Sequence, residues 1–128
     1  MFFKQFCALF VALALISCTL AAEMSMTQSL SAAWKDGDKD FSMWEVTATN
    51  VCGKTIRDAV FVAESNFNLR NVTGNDIWGV EPTSKVNRFH FPAYISERGI
   101  AHNASIKFGY VNKGTASATF SICEVQTM

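Results

Sequence analysis

The sequence predicts an all-β domain, an antiparallel β-sandwich with the two-sheet architecture of immunoglobulin and fibronectin domains. Apolar and polar residues alternate with a period of two in several short segments, and turn residues separate these segments. No segment after the N-terminal apolar run keeps a helical period. Several short alternating strands in about 100 residues are typical of two sheets that bury their apolar faces against each other.

The N-terminal segment is predicted to be a secretory signal peptide. Lys4 precedes an apolar run over residues 6–16, and the small pair Ala21–Ala22 favours cleavage after one of its members. This run of eleven residues is shorter than the roughly 20 that a membrane-spanning helix needs. We therefore assign residues 1–22 to the signal peptide and residues 23–128 to one domain, and we expect a secreted, extracellular protein without a transmembrane segment.

The cysteines fit an oxidising compartment. Cys7 and Cys18 fall in the predicted signal, so the mature domain retains Cys52 and Cys123, which we expect to form a disulfide. That bond would close a loop of about 70 residues, worth roughly 4 kcal/mol by the chain-entropy estimate. In an alternative interpretation, residues 15–18 resemble a bacterial lipobox, which would place a lipid on Cys18.

The alternating segments define the predicted strands in chain order. Trp44, Val46 and Ala48 alternate with polar residues and lead into a turn over residues 50–53. The same alternation recurs at 59–64, 106–110 and 118–123. Turn residues separate the strands at 36–38, 73–76, 98–99 and 112–114.

The charge of the domain gives no indication of a nucleic-acid partner. Removal of Lys4 with the signal leaves ten basic and 11 acidic side chains, without a basic run. Binding by counterion release needs clustered Lys and Arg, so we expect no nucleic acid among the partners.

The mature chain has only two histidines and no recognisable catalytic motif, and we predict that the protein is not an enzyme. His90 is expected to be a strand residue and His102 a loop residue, and no G-x-S-x-G or H-E-x-x-H motif is present. The alternative is a small glycan hydrolase that uses Asp36, Asp40 or Glu64, although their spacing supports no acid/base geometry.

Residues 36–40 have the alternating carboxylates of a calcium loop, but the match fails in detail. Phe41 and Thr47 occupy the sixth and twelfth places, where an EF-hand loop has Gly and Glu. A solvated turn explains the segment better, and we predict no metal and no cofactor.

Two sequons, at Asn71 and Asn103, allow N-linked glycosylation of a secreted chain. About one or two sequons are expected by chance in this composition. Both asparagines are therefore candidate glycosylation sites in exposed loops.

The supply of aromatic side chains is the main indication of a binding surface. Four rings lie in alternating apolar faces and are assigned to the core: Trp44, Phe61, Phe108 and Phe120. Three others lie beside polar or turn residues, where we expect exposed rings: Trp34, Trp78 and Tyr94.

Exposed flat rings on a rigid sheet suit a carbohydrate ligand. The C–H face of a pyranose stacks on an aromatic ring, and each stack contributes on the order of 1 kcal/mol beyond area burial. Polar neighbours of the three rings are candidates for hydrogen bonds to sugar hydroxyls: Lys35, Asn75 and Asp76. In the alternative interpretation, the three rings cap the ends of the sandwich core.

Six motifs occur in an order and spacing that resemble carbohydrate-binding module family 49, the cellulose-binding module of plant endoglucanases and secreted amoeboid proteins. They cover nearly the whole domain: Ser31-x-x-Trp34; Phe41-x-x-Trp44-x-Val46 followed by Thr49-Asn50; Lys54-Thr55-Ile56; Ile77-Trp78-Gly79-Val80; Phe91-Pro92-Ala93-Tyr94; Phe108-Gly109-Tyr110-Val111. The chain departs from the family pattern at Tyr94, where Trp is usual, and at Trp44, where Tyr is usual. The pair Cys52 and Cys123 also lies outside that pattern.

This resemblance implies a β-sandwich that binds cellulose or a related β-glucan without catalysis, as a secreted protein of a cell wall or extracellular matrix. Trp34, Trp78 and Tyr94 fall on the aromatic positions that we expect to contact the glucan. The alternative function is a secreted adhesion or interaction sandwich whose exposed rings meet a protein partner.

Overall fold

The computed structural model describes residues 23–71 and 76–128, and these residues form a β-sandwich of two four-stranded sheets. The elements in chain order are β1 (Met24–Asp36), β2 (Lys39–Asn50), β3 (Ile56–Ser65), β4 (Ile77–Trp78), β5 (Glu81–Pro82), β6 (Arg88–His90), α1 (Ala93–Ser96), β7 (Ser105–Lys113) and β8 (Thr119–Thr127). The predicted all-β fold class is confirmed. Residues 1–22, with the predicted signal peptide and Cys18, lie outside the described residues.

Each sheet is antiparallel throughout its paired strands. The front sheet has the order β1-β2-β7-β4 and the back sheet the order β5-β6-β3-β8. The four segments that the sequence predicted as strands correspond to β2, β3, β7 and β8. In the described ranges, no helix has the length and apolar character to cross a membrane.

Residue parity along the strands determines which side chains fill the core. Val46 on β2 and Phe108 on β7 are paired, and both point inward between the sheets. The Phe61 ring on β3 meets Phe108 at 5.0 Å between ring centroids, which joins the back sheet to the front sheet. Phe61 and Phe108 are buried, as predicted, whereas Trp44 and Phe120 are partly buried and pack against the core.

The short helix α1 was not predicted, because four residues are too few to give a helical period. Pro92 precedes it with φ −60°, the value that the proline ring imposes. After α1 the chain turns at Gly99, whose φ of +73° and close approach to the Ile56 carbonyl exclude a side chain. Tyr94 therefore lies on a helical turn that contacts β3 of the back sheet, and not on a strand.

The expected disulfide between Cys52 and Cys123 is wrong, since Cys52 is a free thiol. Cys52 lies in the loop after β2, near the C-terminal end of β8, where the Met128 amide donates to the Thr55 carbonyl. Cys123 lies further back along β8, opposite Val60. The register therefore sets Cys123 against the middle of β3, whereas Cys52 lies four residues before β3 begins at Ile56.

We predict that Cys52→Ser changes the melting temperature by less than about 5 °C, because serine can replace the contacts between the thiol and the Lys54 backbone. Differential scanning calorimetry of the two purified proteins measures this change. A bond to Cys123 would contribute roughly 4 kcal/mol, so a fall of more than about 15 °C would contradict the free thiol.

Candidate functional site

The outer face of the front sheet carries two of the three aromatic residues that the sequence predicted as exposed. Phe41 on β2 pairs with Trp34 on β1, and Gly109 on β7 pairs with Trp78 on β4. All four positions have the parity opposite to that of the core-facing Val46, so they point away from the core. We call this surface the front face.

The Trp78 ring lies directly over Gly109. A Cβ atom at Gly109 would stand 2.5–2.8 Å from three atoms of the indole, which is closer than any side chain allows. Trp78 is 44 % exposed although it pairs within the sheet. The missing side chain at Gly109 thus lets a large ring rest against the sheet with its other side in solvent.

Trp34 occupies the opposite end of the front face, beside the β1–β2 turn. Its ring packs on Phe41, with 6.0 Å between centroids and 30° between planes. The guanidinium carbon of Arg70 lies over the Trp34 ring, 5.9 Å from its centroid, in a cation–π contact. Three strand spacings and four residues along the strands separate Trp34 from Trp78, or roughly 20 Å between Cα atoms.

A buried carboxylate holds Arg70 in this position. Asp76 is buried, and its two oxygens accept hydrogen bonds from Nε and Nη2 of Arg70 at 3.1 and 2.7 Å. The hydrogen bonds from Arg70 keep the pKa of the Asp76 carboxyl below its usual value, against the effect of burial. The same contact raises the pKa of Arg70. Because the pair is bidentate, it fixes the plane of the guanidinium as well as its position.

A groove of about 490 Å³ opens next to Trp34. Phe41 and Gly114 contribute its apolar part, and four charged residues complete the lining: Lys39, Asp40, Arg70 and Lys113. Lys39 and Lys113 share the outward parity of Phe41, so the groove is continuous with the front face.

The other four residues that the sequence predicted as sugar contacts do not form one cluster with the two tryptophans in the part of the chain that the structure describes. Tyr94 is 63 % exposed on α1, and it stacks on neither Trp34 nor Trp78 in the ranges that the structure describes. Lys35 forms an ion pair with Asp40 at 3.0 Å. Asp76 is buried, and its carboxylate holds Arg70. Asn75 lies outside the described residues.

The half of the front face beyond Trp78 is polar. Glu45 and Lys107 are neighbours across β2 and β7, with 3.8 Å between their charged atoms. The Thr49 and Ser105 hydroxyls are hydrogen bonded at 2.7 Å. The front face therefore changes from aromatic and basic near the β1–β2 turn to hydroxyl-rich at the other end.

Two of the carboxylates considered for hydrolysis, Asp40 and Glu64, lie on different sheets. Asp40 lies on the front sheet and pairs with Lys35, whereas Glu64 lies on the back sheet and accepts a hydrogen bond from Ser121. Within residues 23–71 and 76–128, no group of three or more His, Cys, Asp or Glu side chains is arranged to hold a metal ion.

The two histidines occupy the kinds of segment that the sequence predicted. His90 lies on β6, 3.9 Å from the Asp58 carboxylate, and His102 lies in the loop before β7, where Nδ1 contacts the Cys52 carbonyl. Both sequon asparagines, Asn71 and Asn103, are exposed.

Sequence reasoning missed Arg70 and the role of Gly109. A glycine inside an apolar strand indicates that another group approaches the backbone closely. The sequence could therefore have indicated that a side chain packs over Gly109. Arg70 carried no such signal, because its function depends on a carboxylate and a ring that only the folded chain brings to it.

The fold and this surface define a class: a small β-sandwich binding domain with aromatic rings on the face of one sheet. The family described as "Carbohydrate binding domain CBM49" matches residues 24–115. The chain therefore belongs to the CBM49 family of carbohydrate-binding domains.

Two curated relatives come from Dictyostelium discoideum. Stalk-specific protein B is 27% identical and Stalk-specific protein A is 26% identical, each over an alignment of 108 residues that covers 80% of this chain. The match covers 66% of each relative, so the chain spans about two thirds of their length. Among solved structures, the chitin-binding domain of Chi18aC from Streptomyces coelicolor aligns with a TM-score of 0.42 and 18% identity, over 79% of this chain and 90% of that one.

Proposed function

We propose that this protein is a secreted, non-catalytic module that binds cellulose or a related β-glucan through the front face. The observation that carries the proposal is the placement of Trp34 and Trp78 on one face of one sheet, with Trp78 resting over Gly109. Rings that lie on a sheet present flat apolar surface, which suits the C–H faces of sugars in a polymer.

The separation of the two rings favours a polymer over a single sugar. Trp34 and Trp78 stand roughly 20 Å apart, which exceeds the reach of one pyranose and requires a ligand of several linked rings. Each stack alone contributes about 1 kcal/mol, so simultaneous contact at both ends of the front face is needed for useful affinity. Tyr94 is a third candidate contact from α1.

Membership of a carbohydrate-binding family supports the class of ligand, and the predicted signal peptide over residues 1–22 supports an extracellular place in a wall or matrix. N-glycosylation at Asn71 and Asn103 is part of this proposal, since both side chains are exposed. The choice of cellulose follows from the motif resemblance.

The test is depletion of the purified mature protein from solution by microcrystalline cellulose, with chitin and starch as reference polymers. Wild-type protein is expected to be retained on cellulose, and Trp34→Ala and Trp78→Ala are each expected to weaken retention about two- to ten-fold, the size of one stacking contact. Tyr94→Ala measures whether α1 contributes.

Val86→Ala is the matched control, because Val86 is an apolar side chain that is 85% exposed in the loop between β5 and β6 of the back sheet. Circular dichroism confirms that each variant is folded. Equal retention of wild type and both tryptophan variants would refute the front face as the binding surface. No retention on any polymer would favour the protein-binding alternative.

A further inference from the structure

We infer that the groove beside Trp34 is a separate saccharide subsite, which holds a neutral sugar of a soluble β-glucan oligosaccharide. This inference rests on the proposed function, and it adds a second mode of binding to the same face. Insoluble polymer lies across Trp34 and Trp78 on the front face, whereas the groove encloses one end of a short soluble chain.

The lining of the groove has the composition that sugar recognition requires. Phe41, buried beneath the Trp34 ring, forms the apolar floor of the groove, and charged side chains surround it: Lys39, Asp40, Arg70 and Lys113. A pyranose offers both hydroxyl donors and oxygen acceptors at its edge. Three cationic donors and one carboxylate acceptor around an apolar surface match that edge.

The volume is suited to a ligand of this kind. The groove measures about 490 Å³, within the roughly 300–1,000 Å³ of typical small-molecule sites. It adjoins Trp34, which packs on Phe41, so a chain that begins in the groove continues across the front face.

Arg70 is the best ordered donor in the groove. The bidentate contact with buried Asp76 uses Nε and Nη2. The Arg70 side chain is 45% exposed, so part of it faces solvent. Because Asp76 and the Trp34 ring already hold the guanidinium, it loses little conformational entropy on binding. Asp76 is thus a positioning residue for Arg70.

The charge balance around the groove favours a neutral sugar over an acidic one. Asp40 pairs with Lys35, Asp76 pairs with Arg70, and Asp36 lies opposite Lys39 across the β1–β2 pair. Carboxylates therefore offset most of the positive charge, and the groove offers hydrogen-bonding groups without a strong positive field.

The experiment is isothermal titration calorimetry with cellohexaose, together with cellulose depletion, on the wild-type protein and on Lys39→Met and Lys113→Met. Methionine keeps an unbranched side chain of similar length but cannot donate. Each variant is expected to weaken cellohexaose binding about three- to ten-fold, the range of one hydrogen bond from a charged group at a partly exposed site. Retention on microcrystalline cellulose is expected to weaken less than cellohexaose binding does, because the polymer also contacts Trp78 at the far end of the front face.

Lys85→Met is the control, since Lys85 is exposed in the loop between β5 and β6 and the change in net charge is the same. Unchanged cellohexaose affinity in both groove variants would overturn the subsite. A wild-type protein that is retained on cellulose but does not bind cellohexaose would also overturn it, and would leave the proposed function intact. Failure to bind either ligand would overturn the proposed function itself.

Discussion

Gly109→Val is expected to weaken retention on cellulose as much as Trp78→Ala does, about two- to ten-fold, without unfolding the protein. The first carbon of any side chain at this position would stand 2.5 Å from the Trp78 ring, so the ring must leave the sheet. A displaced indole no longer presents its flat side along the front face, and the stacking contribution of about 0.5–1.5 kcal/mol is lost.

The stability of the fold is expected to change little in this variant. The atoms that a new side chain would meet belong to an indole that is 44 % exposed, and the indole can swing into solvent instead of straining the core. Valine also favours an extended backbone more than glycine does. We therefore expect a shift in melting temperature of less than about 5 °C.

Gly53→Val is the matched control, because nothing lies within 4 Å of a Cβ at Gly53. The double variant of Gly109→Val with Trp78→Ala completes a thermodynamic cycle. If Gly109 acts through the ring, the second substitution adds no further loss to the first. Wild-type retention by a folded Gly109→Val protein would show that the flat position of Trp78 is not needed.

The relation between ring and glycine illustrates what the sequence contained about the site. Both Trp78 and Gly109 stand in motifs that were recognised, and the strand period of two assigns Gly109 to the outward face of β7. The pairing of β4 with β7 was not predictable, because strand order depends on long-range contacts. The sequence thus indicated an exposed ring, but not the residue on which it rests.

The pair Cys52 and Cys123 illustrates where local reasoning fails. The disulfide was inferred from an even cysteine count, which carries no information on distance. Tyr94 stays a candidate contact, but its place on a helical turn against β3 of the back sheet was not predictable from the sequence either. Both placements depend on how segments far apart in sequence pack, whereas the fold class and core rings depended on local periodicity.

Asn112→Ala is expected to lower the free energy of unfolding by about 3 kcal/mol or more, which is a fall of more than about 10 °C in melting temperature. Asn112 is fully buried on β7. Its Oδ1 accepts from the Asn68 amide at 2.7 Å, and its Nδ2 donates to the carbonyls of Asn66 and Ala116 at 2.8 and 3.1 Å. Alanine removes all three hydrogen bonds, and each typically contributes about 0.5–1.5 kcal/mol.

The same change is expected to weaken cellohexaose binding at least as much as Lys113→Met. Asn112 ties two segments to β7, and these segments carry Arg70 and Gly114 of the groove. Without the three hydrogen bonds, the segments that carry Arg70 and Gly114 become more mobile. The ligand must then order both segments when it binds, which lowers its affinity. Chemical denaturation measures the stability, and calorimetry at a temperature where every variant is folded measures the affinity.

Asn50→Ala tests whether the loss of cellohexaose affinity is only a consequence of the loss of stability. Asn50 is also fully buried, and its side chain makes three hydrogen bonds, with the Cys52 amide and the carbonyls of Lys54 and Ile100. It lies at the opposite end of β2 from the groove, so we expect a similar loss of stability with unchanged affinity. If both variants lose affinity equally, the weakening reflects general loosening of the sandwich. If only Asn112→Ala loses affinity, the buried amide organises the groove.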